Sequence, residues 1–252
     1  MDLIDNDQGG YRFLTGIPPY SSGTVAMPGH EIVHITLRRP MPYRDGFKVI
    51  ERRLNDLKRP RQALCAVALR CPKPMSFDGF ASFNRDYRAL IEDWDLLVDG
   101  HNPVARTNVA PALAAPEEPV LYSYAFTVAD EAPVPTFVVA GAGDVDRQSL
   151  DEEVIVRDGE TTPEAMAEKA QHVMDVMQQR VDGLCVLLSD ITHANVYTVH
   201  DVRPYLPTTI LEPLAGASIH GINWHYARPP IDGLAFEMDL RGIRHENVEA
   251  YA

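Results

Sequence analysis

The stretch Asn102-Pro103-Val104-Ala105-Arg106-Thr107-Asn108 organises the rest of the sequence. It sets one arginine in a turn of small residues that leads into a short extended run. A guanidinium there offers a planar fork of donors, and a bidentate grip on a carboxylate fixes both position and orientation. Arg106 is therefore the first candidate for a substrate anchor, against the plainer alternative of a solvated surface arginine.

Ahead of this stretch, Phe80, Phe83, Tyr87, Leu90 and Trp94 recur at helical spacing, with Ser76 and Asp78 as candidate caps. Ala63–Leu69 is a nearly continuous apolar run, the pattern of a strand covered on its outer face by helices. Phe47, Ile50, Leu54 and Leu57 define an earlier amphipathic helix that Pro60 stops. Tyr11–Thr15, Thr24–Met27 and Glu31–Arg39 read as strands, and Pro18–Ser22 (PPYSS) is a turn stiffened by two prolines. Beyond Asn108, Val120–Val128 is a strand by β-propensity. The order over residues 1–130 is β-β-β-α-β-α-β-β, a mixed sheet with two helices on one face.

After a proline-rich, acidic connection at Ala129–Thr136, the order returns. Phe137–Ala140 is a strand closed by Gly141-Ala142-Gly143, which lacks the further glycine and the helix of a dinucleotide fingerprint. Thr161 or Thr162 caps a long helix, with Met166, Ala170, Val173, Met177 and Val181 as its apolar stripe. Ile191–Val199 is a strand. A second helix over Val202–Leu214 is shortened or broken by Pro204, Pro207 and Pro213. Ala217–Tyr226 and Leu234–Leu240 read as the closing strands. The expected fold is α/β (α+β), two tandem units spanning 1–130 and 131–252.

The chain has 252 residues, 45% hydrophobic and 23% charged, which suits a soluble globular protein with a sizeable core. A net charge of -13 repels a phosphate backbone, so nucleic-acid binding is not expected. Three widely spaced cysteines fit a reducing cytoplasm. The polar, acidic N-terminus has no signal-peptide pattern, and no apolar run approaches the roughly 18 residues of a membrane span. Nine histidines form neither an HExxH nor a Cys/His cluster, so no metal is expected.

PPYSS at Pro18–Ser22, the helix Phe77–Trp94, PVARTNVAPAL at Pro103–Leu113 and the strand VLYSYAFTV follow one another as in a known family. Residues 11–128 resemble the RidA/YjgF enamine/imine deaminases, and the second half resembles a diverged copy. The resemblance implies a chorismate-mutase-like fold in each unit and a homo-oligomer, a trimer or a multiple of three. It implies hydrolysis of an enamine or imine to a carbonyl compound and ammonia, without metal or cofactor. It places Arg106 on the substrate carboxylate, with Tyr20 and Asn84 lining the pocket. The family's small Ser-Gly pair corresponds here to Leu37-Arg38, and its water-positioning glutamate has no acidic counterpart in the first half.

The second half does keep an acid in its last strand, Glu237; this acid or a tyrosine hydroxyl, with Tyr20 the catalytic candidate, would position water or move a proton. A composite pocket, with half a site from each copy, requires Arg106 and Glu237 to meet. Asn108 and His220 are further substrate-binding candidates. Arg38 or Arg39, if one turns inward, would supply a second cation for a dicarboxylate. The expected reaction is hydrolytic deamination of an enamine dicarboxylate such as 2-aminomuconate or a substituted relative, in breakdown of aromatic compounds. The alternatives are a non-catalytic ligand-binding or assembly protein on the same scaffold, or a chorismatase-like hydrolase.

Overall fold

The computed structural model describes residues 1–131, 134–146 and 154–251; Ala132 and Pro133 of the proline-rich connection lie outside the described residues. The first half runs β1 (Leu3–Asn6), β2 (Tyr11–Leu14), β3 (Gly23–Ala26), β4 (His30–Pro42), α1 (Tyr43–Asp56), β5 (Leu64–Arg70), α2 (Phe77–Asp93), β6 (Ala105–Pro111) and β7 (Val120–Ala129). The second half runs β8 (Phe137–Gly143), β9 (Val145–Asp146), β10 (Val154–Ile155), α3 (Pro163–Gly183) and β11 (His193–Tyr197). It closes with β12 (Asn223–His225), β13 (Ala227–Arg228), β14 (Glu237–Gly242) and β15 (His245–Glu249).

The helices begin where their caps stand. Of the two candidates before α2, Ser76 does the work, its hydroxyl accepting the Gly79 N–H at 3.1 Å. Thr162 likewise accepts the Ala165 N–H at 3.2 Å, and Pro163 fills the first position of α3, where no N–H is needed. The expected helix over Val202–Leu214 is not an α-helix. A π turn at Leu206–Leu211 is followed by a 3-10 turn at Ala215–His220, because the prolines remove the donors a regular helix needs. That 3-10 turn also displaces the start of the expected strand at Ala217; Gly221, at φ 67°, ends the turn and pairing begins only at Asn223. Among the described residues 131–252, α3 is the single α-helix, against the two expected.

Two mixed sheets pack face to face. A six-stranded sheet has the order β13-β6-β5-β7-β4-β15, and a seven-stranded sheet the order β1-β2-β3-β8-β14-β11-β12. The halves trade strands: β1–β3 join the sheet of β8, β14 and β11, while β13 and β15 flank the sheet of β4–β7. Helices α1 and α2 cover the outer face of the six-stranded sheet through Phe47, Ile50, Leu54, Tyr87 and Ile91. Helix α3 covers the other sheet through Met166, Val173, Met177 and Val181. Between the sheets the small Ala66, Ala105, Ala125 and Ala140 pack beside the larger Tyr11, Phe13 and Ile32. Among the described residues no helix is long and apolar enough to cross a membrane.

One buried ion pair ties α3 to this frame. Lys169, 1% exposed, donates to Asp144 Oδ2 at 2.8 Å and to the Val156 carbonyl. Asp144, just beyond β8, accepts the backbone N–H groups of Ala235 and Phe236 at 3.0 and 3.1 Å, and so fixes the entry to β14. Replacing Lys169 by methionine would leave a buried carboxylate uncompensated. The expected loss is about 3–5 kcal/mol in urea denaturation, partly recovered by adding Asp144→Asn. A loss below about 1 kcal/mol would show that the pair does not carry that role.

Candidate active site

The PPYSS turn and the NPVARTN stretch are stitched together. Asn102 Nδ2 donates to the Pro19 carbonyl at 2.6 Å, Ser21 Oγ to the Pro103 carbonyl at 3.0 Å, and the Ser21 N–H to the Val104 carbonyl at 3.1 Å. Asn102 Oδ1 in turn accepts the Val104 N–H at 2.9 Å. This docking holds the Tyr20 ring 4.6 Å from the Arg106 guanidinium. Helix α2 closes the other side with Tyr87 at 4.6 Å, Phe83 at 5.4 Å and Phe80 at 5.7 Å. Cation–π attraction from four rings offsets part of the cost of burying the charge. Asn84 Oδ1 accepts from Arg106 Nη2 at 2.5 Å and orients the fork.

Arg106 is 2% exposed. Burial lowers its pKa from the ordinary arginine value, yet a guanidinium keeps its charge at neutral pH. Its Nη1 and the Nδ2 of Asn108 are buried and have no hydrogen-bond partner among the described residues. Native proteins seldom leave buried donors unmet, so these two mark a place for an acceptor. Asn108 is set by Cys71, whose thiol donates to Asn108 Oδ1 at 2.7 Å and thereby leaves the amide nitrogen free. Burial pushes the Cys71 thiol up to about 11, which keeps it protonated as that donor.

Arg106, Asn108, Tyr20 and Glu237 line one cavity of about 300 Å³. Glu237 opens β14, paired with Gly143 of β8 and Tyr197 of β11. It is 3% exposed. Burial raises its pKa well above the usual carboxylate range, and the neighbouring Asp239 adds to the rise, while Arg180 and Arg70 oppose it. The glycines of Gly141-Ala142-Gly143 acquire a reason here: a Cβ on Gly141 would fall 2.4 Å from Glu237 Oε1 and 3.2 Å from Thr107 Cα. The GAG segment is a cradle for a carboxyl group.

The other site expectations fall elsewhere. Asn84 reaches the cavity through its bond to Arg106. Arg38 and Arg39 are exposed and line neither the Glu237 cavity nor the larger one between the sheets. The register shift between Thr36 and Met41 of β4 breaks the alternation that was to turn one of them inward. His220 is exposed at the end of its 3-10 turn and lines neither cavity. Residues not singled out from the sequence complete the cavity: Arg180 and His172 of α3 and the cradle glycine Gly141. The aromatic stripe of α2 reads in sequence as core; only the arginine facing it reveals its second role.

Such a cavity has the chemistry of an enzyme that holds a small carboxylic acid and moves a proton beside it. The chain belongs to the 2-aminomuconate deaminase CnbZ family, whose family model matches residues 3–247. It is 35% identical to a 2-amino-5-chloromuconate deaminase of Comamonas testosteroni, over 98% of this chain and 99% of that one. A crystal structure of a chorismatase is similar at a TM-score of 0.43 and 13% identity, over 96% of this chain and 89% of that one, a likeness too low to bear on the site.

Gly141→Ala places a methyl group where the Glu237 carboxyl stands. The expected result is a loss of about 1–3 kcal/mol of stability and at least a roughly tenfold fall in deaminase activity, followed as ammonia release. Full activity in a folded variant would show that the carboxyl does not need this position.

Proposed function

We propose that this chain hydrolyses the enamine of a 2-aminomuconate, plain or substituted, releasing ammonia and the 2-oxo acid in breakdown of aromatic compounds. The observation that carries the reading is the meeting of Arg106 and Glu237 in one cavity. The substrate carboxylate takes the Arg106 fork and the free amide of Asn108. Arg180 lines the same cavity and provides the second cation that a dicarboxylate calls for, in place of Arg38 and Arg39. A volume of about 300 Å³ is at the small end of ligand sites and suits a six-carbon diacid.

The chemistry follows from the raised pKa of Glu237. Held protonated, it delivers its proton to the enamine carbon and produces an iminium. The resulting carboxylate accepts a proton from water as the water oxygen bonds to the iminium carbon. Glu237 then passes that proton to the amino nitrogen, the C–N bond breaks with its electron pair going to nitrogen, and ammonia leaves; the hydroxyl proton returns to Glu237 as the carbonyl forms. Four rings around Arg106 keep bulk water off the anchored end.

The finer family reading, two RidA-like units over 1–130 and 131–252, is supported by the returning strand–helix–strand order and qualified by the strands the halves trade. A homo-oligomer built on threes and a cytoplasmic setting belong to the same proposal.

Ammonia release from freshly generated 2-aminomuconate tests the reading. Arg106→Ala is expected to lower kcat/KM by about 10- to 100-fold, the worth of a charge-assisted hydrogen bond, mostly through KM. Equal rates would remove Arg106 from the site. Glu237→Gln is expected to lower kcat by about 10²- to 10⁴-fold. In the wild type, kcat/KM falls as pH rises through the raised Glu237 pKa, because the acid form is the one that starts the reaction.

The same shift predicts stability. A carboxyl whose folded pKa is raised favours the native state at low pH and loses that contribution as pH rises through the folded value. Glu237→Gln, which mimics the protonated acid, is therefore expected to melt above wild type at pH 8. The difference should close as pH falls to about 4, near the ordinary glutamate value. A lower Tm for the variant at pH 8 would contradict a proton-holding Glu237.

A further inference from the structure

The inner faces of the two sheets enclose a second cavity, of about 600 Å³, that the deamination chemistry leaves unused. Arg70 of β5, Tyr122 of β7, Tyr197 of β11, Trp224 and His225 of β12 and Asp239 of β14 line it. It opens on the other side of β6 from the Arg106 cavity, since Thr107 lines this one while Arg106 and Asn108 line that one.

Two buried charges in this cleft are not neutralised by one another. Arg70, 7% exposed, donates Nη1 to the Leu69 carbonyl at 3.0 Å and lies 3.9 Å from the Tyr122 ring and 5.5 Å from the Tyr197 ring. Among the described residues no carboxylate forms an ion pair with it. Asp239 is equally buried and accepts from neutral groups, Asn195 Nδ2 at 2.7 Å and the Tyr197 hydroxyl at 2.8 Å. The cleft's other acid, Glu246, is already held by Arg241 at 2.7 Å, His193 at 2.8 Å and His34 at 2.9 Å. One cation thus stands over the Tyr197 ring and one anion at its hydroxyl.

Flat surfaces lie between them. Tyr197 stacks on His225 with ring centroids 4.8 Å apart and planes 19° from parallel, and Trp224 is half exposed at the mouth. Buried charges without a counter-charge are costly, and a single ligand bearing both opposite functions would satisfy both.

We propose that this cleft is a second ligand site, for a small planar molecule that carries a carboxylate and an amino group on one conjugated frame. The carboxylate sits on Arg70, the amino group donates to Asp239, and the frame lies along the Tyr197 and Tyr122 rings.

The test uses 2-aminobenzoate as probe and benzoate as the control without an amine. Both are titrated by calorimetry into full-length protein carrying Arg106→Ala, so that binding in the other cavity is weakened. Saturable binding of one 2-aminobenzoate per chain is expected. Adding Arg70→Met should weaken both probes at least tenfold. Adding the isosteric Asp239→Asn should weaken 2-aminobenzoate at least tenfold and leave benzoate unchanged. Absence of saturable binding, or 2-aminobenzoate affinity untouched by Asp239→Asn, overturns the proposal; the latter holds even if Arg70→Met does not fold. Ammonia release by the Arg106→Ala protein is a separate measurement, so failure of the deaminase reading is visible on its own.

Discussion

The close approach of the two sheets where alanines line their inner faces is the constraint on which the rest depends. Ala66, Ala105, Ala125 and Ala140 bring β6 and β8 near enough for the end of one half's sheet to face the end of the other's. A large side chain at these positions would wedge the sheets apart and separate Arg106 from Glu237. The same closeness explains why Gly141 is a glycine: Thr107 and the Glu237 carboxyl already occupy the space a Cβ would need. Interiors pack at crystal-like density, so this arrangement is rigid and not an average over loose contacts.

Within that frame the protein keeps charges where a purely structural core would not. The Arg106 guanidinium is surrounded by four rings and oriented by Asn84, yet one of its nitrogens and the Asn108 amide nitrogen have no hydrogen-bond partner among the described residues. Glu237 is buried with Asp239 close by, and both effects favour its neutral form. Each of these features reduces stability relative to an apolar filling of the same space. The Lys169–Asp144 pair is of another kind. Both charges are buried, but they satisfy one another and the Ala235 and Phe236 backbone, and the pair anchors the strand that carries Glu237.

Much of the fold was legible in local pattern. Phe47, Ile50 and Leu54, the α2 aromatics and the α3 methionines announced three helices by their spacing, and Ser76 and Thr162 marked two starts by their side-chain oxygens. The misreadings lie where a neighbour overrides propensity. Ala217 opens no strand, because the chain from Ala215 is still turning. Arg38 and Arg39 face out because β4 shifts register there, and alternation carries no information across a bulge. The trading of β1–β3, β13 and β15 between sheets had no local signature at all, since strand pairing is set by distant partners.

The amino-acid sequence by itself determined the helices, the alternation of most strands, and the identity of the residues able to hold a carboxylate, because those depend on spacing and side-chain chemistry within a few residues. It also marked Arg106, Tyr20, Asn84, Asn108 and Glu237 individually. Only the tertiary structure decided that Tyr20, Arg106, Asn108 and Glu237 share a cavity, that Arg180 joins them, and that Arg38, Arg39 and His220 do not. The reason is physical: a carboxyl's pKa is raised chiefly by burial, and Glu237 is buried by packing against residues distant in sequence, Thr107 and Gly141 among them.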